Sequence, residues 1–478
     1  MSNGLPFNER ASPSPVNVNP MIRKMSLGLA ALLLAIAALG QNNLAQQAAR
    51  PAPAWLRSGV VYEIFPRNFS ATGDFNGITA RLDELRDLGV NVLWLMPIHP
   101  IGEQQRKGTL GSPYAVKDYY AINPDYGTTN DFRRLVTEAH RRKLKVILDL
   151  VANHTAWDSV MMQHRDFYKQ DAQGHILPPV PEWSDVAGLN YASPELRQYM
   201  IRMLTYWVRD FDVDGFRCDV AYMVPTDFWE QARAALEQVK PDLMLLAEAS
   251  KPELLLKAFD ADYSWPLHAT LNRVLLEGAP ASQFQACWEQ DRREFPHGTL
   301  HLRISDNHDE ARAVARFGIR GALAAEVLML TLDGVPLLYN GMEVGDATES
   351  GDPALFEKMP IFWRPKERPP LRDIYRDLIQ LRRNHAAFQN DRVVWLRNSA
   401  GTSVVTFERA DGREQFIVVI NFSNRSLTAT VQAPADTDFT RVKIAGQTDT
   451  SDDAFPQLHL GPFEWRLYHN TAAQEARR

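Results

Sequence analysis

From about Gly59 the chain alternates between short apolar runs and longer amphipathic ones. "VVYEIF" is apolar almost throughout; "TARLDELRDLG" spaces its leucines at helical intervals and closes on Gly89; "NVLWLMPI" is apolar again. A short continuous apolar run suits a strand covered on both faces, whereas apolar residues every three or four positions mark one face of a helix. The alternation continues through helix "NDFRRLVTEAHRRK", strand "KVILDLVANHT", helix "PELRQYMIRMLTYWVRDF", strand "DGFRCDV", helix 225–239 and strand "DLMLLAEA". Strands "LHLRIS" and "VPLLYN" follow, with helices expected over 320–332 and 370–384. Residues 156–190 interrupt the pattern with Pro178, Pro179 and Pro181 and read as a small excursion. From about Asp391 the period becomes two, in "RVVWLRN", "TSVVTFERA", "QFIVVINFS", "LTATVQAP" and "FEWRLYH", which predicts an antiparallel β-sandwich.

About eight strand–helix units in roughly 330 residues favour an α/β fold of the (β/α)8 barrel type over an open doubly wound sheet. No glycine-rich phosphate loop follows the first strand, which argues against dinucleotide binding. The expected organisation is an N-terminal extension with a signal peptide over 1–50, a barrel over 51–388 with the excursion at about 156–190, and a sandwich over 389–478. At 45% hydrophobic and 23% charged residues the 478-residue chain is ordinary for a globular protein. A net charge of −6 gives no footprint for nucleic acid. Cys218 and Cys287 have no metal-type spacing, and Cys218 is expected to pack inside a strand. Arg23 and Lys24 precede "LGLAALLLAIAALG", which is too short to span a bilayer comfortably, and small residues follow it. That order predicts a cleaved signal and a secreted or periplasmic protein with no stable membrane span; no cysteine stands there to carry a lipid.

Charge inside buried strands is costly, so charged residues at strand ends carry information. In a barrel of this kind the active site lies at the C-terminal ends of the strands. There the third strand offers Asp149, Asn153 and His154, the fourth Arg217 and Asp219, the fifth Glu248, and "ISDNHDEAR" supplies Asn307, His308 and Asp309. Three carboxylates converging with an arginine and two histidines suit retaining glycoside hydrolysis, in which one carboxylate attacks the anomeric carbon and a protonated one serves the leaving oxygen. Arg217 is expected to favour the ionised form of Asp219, and the apolar context of Glu248 in "LLAEA" to keep it protonated. Asp309 would steady positive charge in the transition state, with His154 and His308 bonding sugar hydroxyls. No P-loop and no strand-end lysine supports phosphate chemistry.

The runs "DLVANHT", "GFRCDVA", "LLAEAS" and "SDNHDEAR" resemble, in this order, the four signature regions of the α-amylase family of glycoside hydrolases. "GVPLLYNGMEVG" and "SPYAVKDYYAINPDYGT" are similar to further regions of that family, so the likeness spans roughly residues 55–470. The resemblance implies a nucleophile at Asp219, an acid/base at Glu248 and a transition-state stabiliser at Asp309. It also implies sugar-binding positions at Tyr114, Asp118, His154, Arg217 and His308, with Tyr114 stacking on the ring. The expected partner is an α-glucan or maltooligosaccharide, cleaved at α-1,4 bonds through a glycosyl-enzyme intermediate. Open beside this stand an exo-acting α-glucosidase, a transglycosylase, and a non-catalytic barrel serving as a binding module; the intact three carboxylates argue against the last.

The departures from the family concern the acceptor side and calcium. Many relatives carry Lys-His where this chain has Tyr222 and Met223, the histidine serving calcium. Asn153 and Asp185 match other calcium positions, but an oxygen cage needs several ligands together, so no cofactor is expected to be required and Ca2+ is doubtful. Asp149 reads either as a site residue or as a buried partner for Arg217. His99 has no expected role, Trp183 and Trp363 are expected to pack, with sugar stacking as the alternative, and Arg364–Pro370 to form a solvated loop.

Overall fold

The computed structural model describes residues 44–363, 371–433, 438–447 and 455–470. The expected signal segment and the loop 364–370 lie outside them. Eight parallel strands close into a barrel: β1 (Val61–Ile64), β2 (Val92–Leu95), β3 (Lys145–Leu150), β4 (Gly215–Cys218), β5 (Met244–Ala247), β6 (Ala261–Tyr263), β7 (His301–Arg303) and β8 (Val335–Tyr339). Each strand pairs with its sequence neighbours and β8 returns to β1, so the sheet has no edge. Among the described residues, the helices of seven residues or more are α1 (Leu82–Leu88), α2 (Thr129–Arg141), α3 (Pro194–Phe211), α4 (Thr226–Val239), α5 (Trp265–Leu276), α6 (Gln283–Glu294), α7 (Ala313–Thr331) and α8 (Leu371–Asn384).

Local chemistry accounts for the helix limits. Thr128 and Asp131 form a reciprocal capping box on α2, and Ser193 caps α3 with Pro194 in its first turn. Gly89 closes α1 in the left-handed region, as the sequence anticipates. Helix α7 begins at Ala313, earlier than the expected 320, because its start continues across a kink at Gly318 (φ 69°). Strand β6 and helices α5 and α6 are not among the elements expected above: three residues in "ADYSW" are too few to show a period.

The pleat explains the barrel's two layers. Val61, Val92, Trp94, Ile147, Met244, Leu246, Ala261, Tyr263 and Leu337 form one buried cluster, the packed interior. Their strand neighbours, such as Tyr62, Leu93, Val146, Phe216 and Leu245, belong to the larger cluster shared with the helices. Along this inward row, two residues beyond Val61, Ile147, Gly215 and Leu246, stand Glu63, Asp149, Arg217 and Glu248. Apolar side chains thus fill the barrel and polar ones crown it. Gly215 (φ 144°) admits nothing larger: a Cβ there would sit 1.9 Å from the Met244 carbonyl oxygen.

After β3 the excursion contributes a two-stranded antiparallel pair, His154–Ala156 with Val186–Gly188. The C-terminal module is a five-stranded antiparallel sheet and a two-stranded one. The first has the order β9 (Val393–Trp395), β10 (Val404–Ala410), β11 (Gln415–Asn421), β15 (Trp465–Asn470), β13 (Thr440–Arg441); the second pairs β12 (Leu427–Thr430) with β14 (Gln457–Leu460). Val404, Ile417, Val419, Ala429, Leu458 and Leu460 fill the space between the sheets. The other face of the large sheet, with Phe407, Phe416, Val418 and Leu467, joins the core of the barrel's outer layer. Both cysteines are free, and among the described residues no helix is long and apolar enough to cross a membrane.

Candidate active site

The polar crown opens into a cavity of about 570 Å³ lined by Tyr114, His154, Asp219, Glu248 and Asp309, with Trp183, Tyr222, Trp265, Lys107, Asp185 and Phe356 around its rim. Arg217, fully buried beneath it, is the hub. Its Nη1 donates to Asp149 at 2.8 and 3.1 Å and to Asp219 at 3.2 Å. Its Nη2 lies 2.8 Å from Glu248 Oε2, a charge contact whose angle falls short of a hydrogen bond. The indole of Trp94 and the rings of Tyr114 and Tyr263 surround the guanidinium with centroids 5.1–5.8 Å away. Asp149 is therefore the buried partner of Arg217; it also accepts from Trp94 Nε1 and from the Tyr114 hydroxyl, each at 3.1 Å.

This geometry corrects one expectation. Arg217 does not serve Asp219 alone: its single charge is divided among three carboxylates. Burial and the neighbouring Glu248 carboxylate outweigh it and push Asp219 well above the usual carboxylate range. Burial likewise raises Glu248, against Arg217 and the Val220 N–H that donates to its Oε2 at 2.7 Å. The raised Glu248 agrees with the sequence reading, although its carboxylate also meets a cation. Two buried carboxylates in contact with one guanidinium titrate as a pair, which keeps one proton to higher pH than an isolated carboxyl would.

Asp309 differs. Its side chain is 38% exposed at the mouth, and burial's upward push is overcome by the His308 cation 3.1 Å away, which holds it low. Burial would discharge His308, but Asp309 on Nε2 and Glu63 on Nδ1 raise it well above the ordinary histidine value. The Tyr114 hydroxyl sits 2.6 Å from His308 Nε2, and the two rings stack with centroids 5.5 Å apart. Tyr114 is thereby fixed by His308 and Asp149 together. His154, by contrast, is held down to about 4 by burial, so it is neutral at pH 7 and can both donate and accept.

Of the eight residues named from the sequence, seven meet in or directly under this cavity. Asp118 does not: its Oδ1 accepts from the Tyr120 N–H within its own loop, and it is not part of the cavity wall. Trp183, expected to pack, lies on the rim with its ring edge against His154 at 5.7 Å. Trp363 does pack, its Nε1 donating to the Phe69 carbonyl and Arg81 lying over its ring. His99 is buried against the Ala121 carbonyl. Glu63, against His308 Nδ1, is not among the residues expected above, although a lone acid in "VVYEIF" carries the same signal as Arg217 in "GFRC". Lys107 comes from a loop, Trp265 from the first turn of α5 and Phe356 from the end of a short helix, Asp352–Phe356, and no local pattern reveals that the three meet here.

The two positions that the resemblance relates to calcium, Asn153 and Asp185, each have a partner within the protein. Asn153 Nδ2 points at the Met223 sulfur, 3.8 Å away, and Asp185 is paired with Lys107 at 3.0 Å.

The family model for "Alpha amylase, catalytic domain" matches residues 63–403. The "Alpha-amylase MalA" of Haloarcula japonica is 31% identical over 410 residues, 81% of this chain and 58% of its own length, so the chain spans less than two thirds of that relative. A cyclomaltodextrinase of Geobacillus thermopakistaniensis is 29% identical over 468 residues, covering 87% of this chain and 78% of its own. Among solved structures, an alpha-amylase from Lactobacillus plantarum aligns with a TM-score of 0.77 at 30% identity, covering 87% of this chain and 99% of that one. The maltogenic alpha-amylase AmyB from Thermotoga neapolitana aligns at 0.76 and 31% identity, covering 87% and 96%.

Proposed function

The chain belongs to the α-amylase family of glycoside hydrolases, and on that premise we propose that it cleaves α-1,4-glucosidic bonds in starch-like glucans or maltooligosaccharides with retention of configuration. The observation that carries the reading is the shared guanidinium: Arg217 touches both Asp219 and Glu248 beneath one cavity. A retaining mechanism needs one carboxylate ionised and one protonated on either side of the scissile bond, and a coupled pair holding one proton supplies that state.

In this reading Asp219 attacks the anomeric carbon while Glu248 gives its proton to the departing glycosidic oxygen. Glu248 then takes a proton from the water that releases the sugar. Asp309, kept anionic by His308, opposes the positive charge that builds on the ring. Tyr114, held by two hydrogen bonds, offers its face to the sugar, and neutral His154 meets a hydroxyl. Residues 51–388 would carry the reaction, and 389–478 would form the accessory sandwich. Products from maltoheptaose test the proposal: short maltooligosaccharides released by the native chain and not by Glu248→Gln support it. Release that survives the substitution sinks it.

The commitments of Asn153 and Asp185 support a reaction that needs no calcium. Activity after dialysis against a calcium chelator should stay within about twofold of the untreated enzyme; a loss reversed by added Ca2+ would refute this. The basic-apolar-small order before residue 51 supports export, testable by the N-terminus of protein recovered outside the cytoplasm.

A further inference from the structure

A second cluster of ligating side chains lies at the seam between the barrel and the C-terminal module, and none of its residues lines the glucan cavity. His385 follows α8, Glu414 sits in the hairpin between β10 and β11, and His469 lies on β15. His385 Nδ1 is 2.8 Å from Glu414 Oε2, and His469 Nε2 is 3.3 Å from the same oxygen. One ligating atom from each of the three falls within 4.8 Å of the others.

The rings are held in place by packing. Phe416, fully buried, stacks on His469 with centroids 4.2 Å apart and planes within 14°, and meets the His385 ring edge-on at 4.8 Å. The side chains are 17–29% exposed, so an ion and a water molecule can reach them from solvent.

We propose that His385, Glu414 and His469 form a site for a divalent transition metal, zinc being the best match, which ties the end of α8 to the C-terminal sheet. Two imidazole nitrogens and one carboxylate oxygen, completed by water, make a four-coordinate zinc set. Bonds of about 2.0–2.2 Å in a tetrahedron place ligand atoms roughly 3.3–3.6 Å apart. The 3.3 Å separation already meets that spacing, and the 2.8 Å one has to open by roughly half an ångström. Calcium and magnesium prefer all-oxygen cages, so nitrogen ligands select against them.

The test uses the full chain without a histidine tag, stripped with EDTA, dialysed, and titrated with Zn2+ against a chromophoric chelator. The expected result is one saturable site per chain, a melting temperature raised by about 2 °C in excess zinc, and affinity weakened at least tenfold in His385→Gln and His469→Gln. Since either change could loosen the seam by itself, the decisive comparison is the zinc-dependent rise within each protein, which should vanish in both variants. Co2+ in place of zinc should give the visible absorption of a four-coordinate ion in the native chain only. Absence of a one-to-one site, or zinc binding and a melting shift that both variants retain, overturns the proposal.

Discussion

Strand β4 carries a buried aspartate near each end, and the two live in opposite electrostatic worlds. At the lower end Asp214 is surrounded by donors: the ammonium groups of Lys145 and Lys240 at 2.9 Å each, His140 Nε2 at 2.7 Å and the Val146 N–H. Burial alone would raise its pKa, but the His140 hydrogen bond and the Lys240 charge overcome that and hold it far below the usual carboxylate range. At the upper end Asp219 shares one guanidinium with Asp149 and Glu248 and is pushed up. Burial is common to both; the ratio of cations to carboxylates differs. A satisfied charge fixes the fold, whereas one left short of counter-charge keeps a proton it can exchange.

The largest effect should come from breaking the upper end. Asp219→Asn and Glu248→Gln should each lower kcat/KM on maltoheptaose by about 10⁴-fold or more, with no change in melting temperature beyond a few degrees. The lower end should answer in the other currency. Asp214→Asn should cost about 3 kcal/mol of stability at pH 7, since a neutral amide no longer balances the Lys145 and Lys240 charges that meet at this buried position, while kcat/KM at a temperature where the variant is folded stays within about threefold. Because its folded pKa is depressed, Asp214 stabilises fully above the unfolded value of about 3.9, and its contribution fades as pH falls below it. Denaturant melts of both proteins should therefore converge toward pH 2. A large loss of activity in folded Asp214→Asn would erase the distinction between the two ends.

How much of this was legible beforehand depends on the range of the signal. The upward crown of charges is legible because a charged residue inside an apolar run has few explanations, and Arg217, Asp219 and Glu248 stand out for that reason. The alternation of runs likewise disclosed seven barrel strands, while β6, three residues long, carried no period to read. The partition of Arg217 among three carboxylates is not legible in the sequence, because it depends on the pairing and register of β4 with β3 and β5, which set Asp149 opposite Arg217. The same holds for Lys107, which reaches Asp185 from a loop 78 positions earlier in the chain. Asp118 is the converse case: a position matched by motif whose Oδ1 accepts from the Tyr120 N–H of its own loop and which does not line the cavity.

The coupled pair makes a smaller but sharper prediction. If the active form holds one proton between Asp219 and Glu248, kcat/KM should be bell-shaped in pH, and its upper limb should lie above the usual carboxyl value of about 4.3. Activity falls as pH rises through that limb because the shared proton is lost. The Asp309 carboxylate contributes to raising both groups, so removing its charge stabilises the ionised pair. The residual activity of Asp309→Asn should accordingly show its upper limb displaced to lower pH. An unmoved limb would mean that another group limits the reaction.

The smallest expected effect concerns Tyr222, 54% exposed on the wall beside Glu248. It stands in a single 3-10 turn, Ala221–Met223, entered through Val220 at φ 37°, a left-handed conformation that a β-branched residue adopts at a cost. That backbone is held from both sides: the Val220 N–H donates to Glu248 Oε2, the Ala221 N–H donates to the Glu248 carbonyl at 3.2 Å, and Met223 meets Asn153. The strain therefore places an exposed aromatic ring at a fixed offset from the group proposed to serve the leaving oxygen, where an incoming acceptor sugar must also sit. An aromatic face contributes about 1 kcal/mol to such a contact, roughly fivefold in occupancy. Tyr222→Ala should thus reduce the fraction of transfer products formed at high maltose by about that factor, while hydrolysis at low maltose changes less. A transfer fraction equal to that of the native chain would leave Tyr222 an ordinary surface tyrosine, and would mean that the strained turn serves only to hold Glu248.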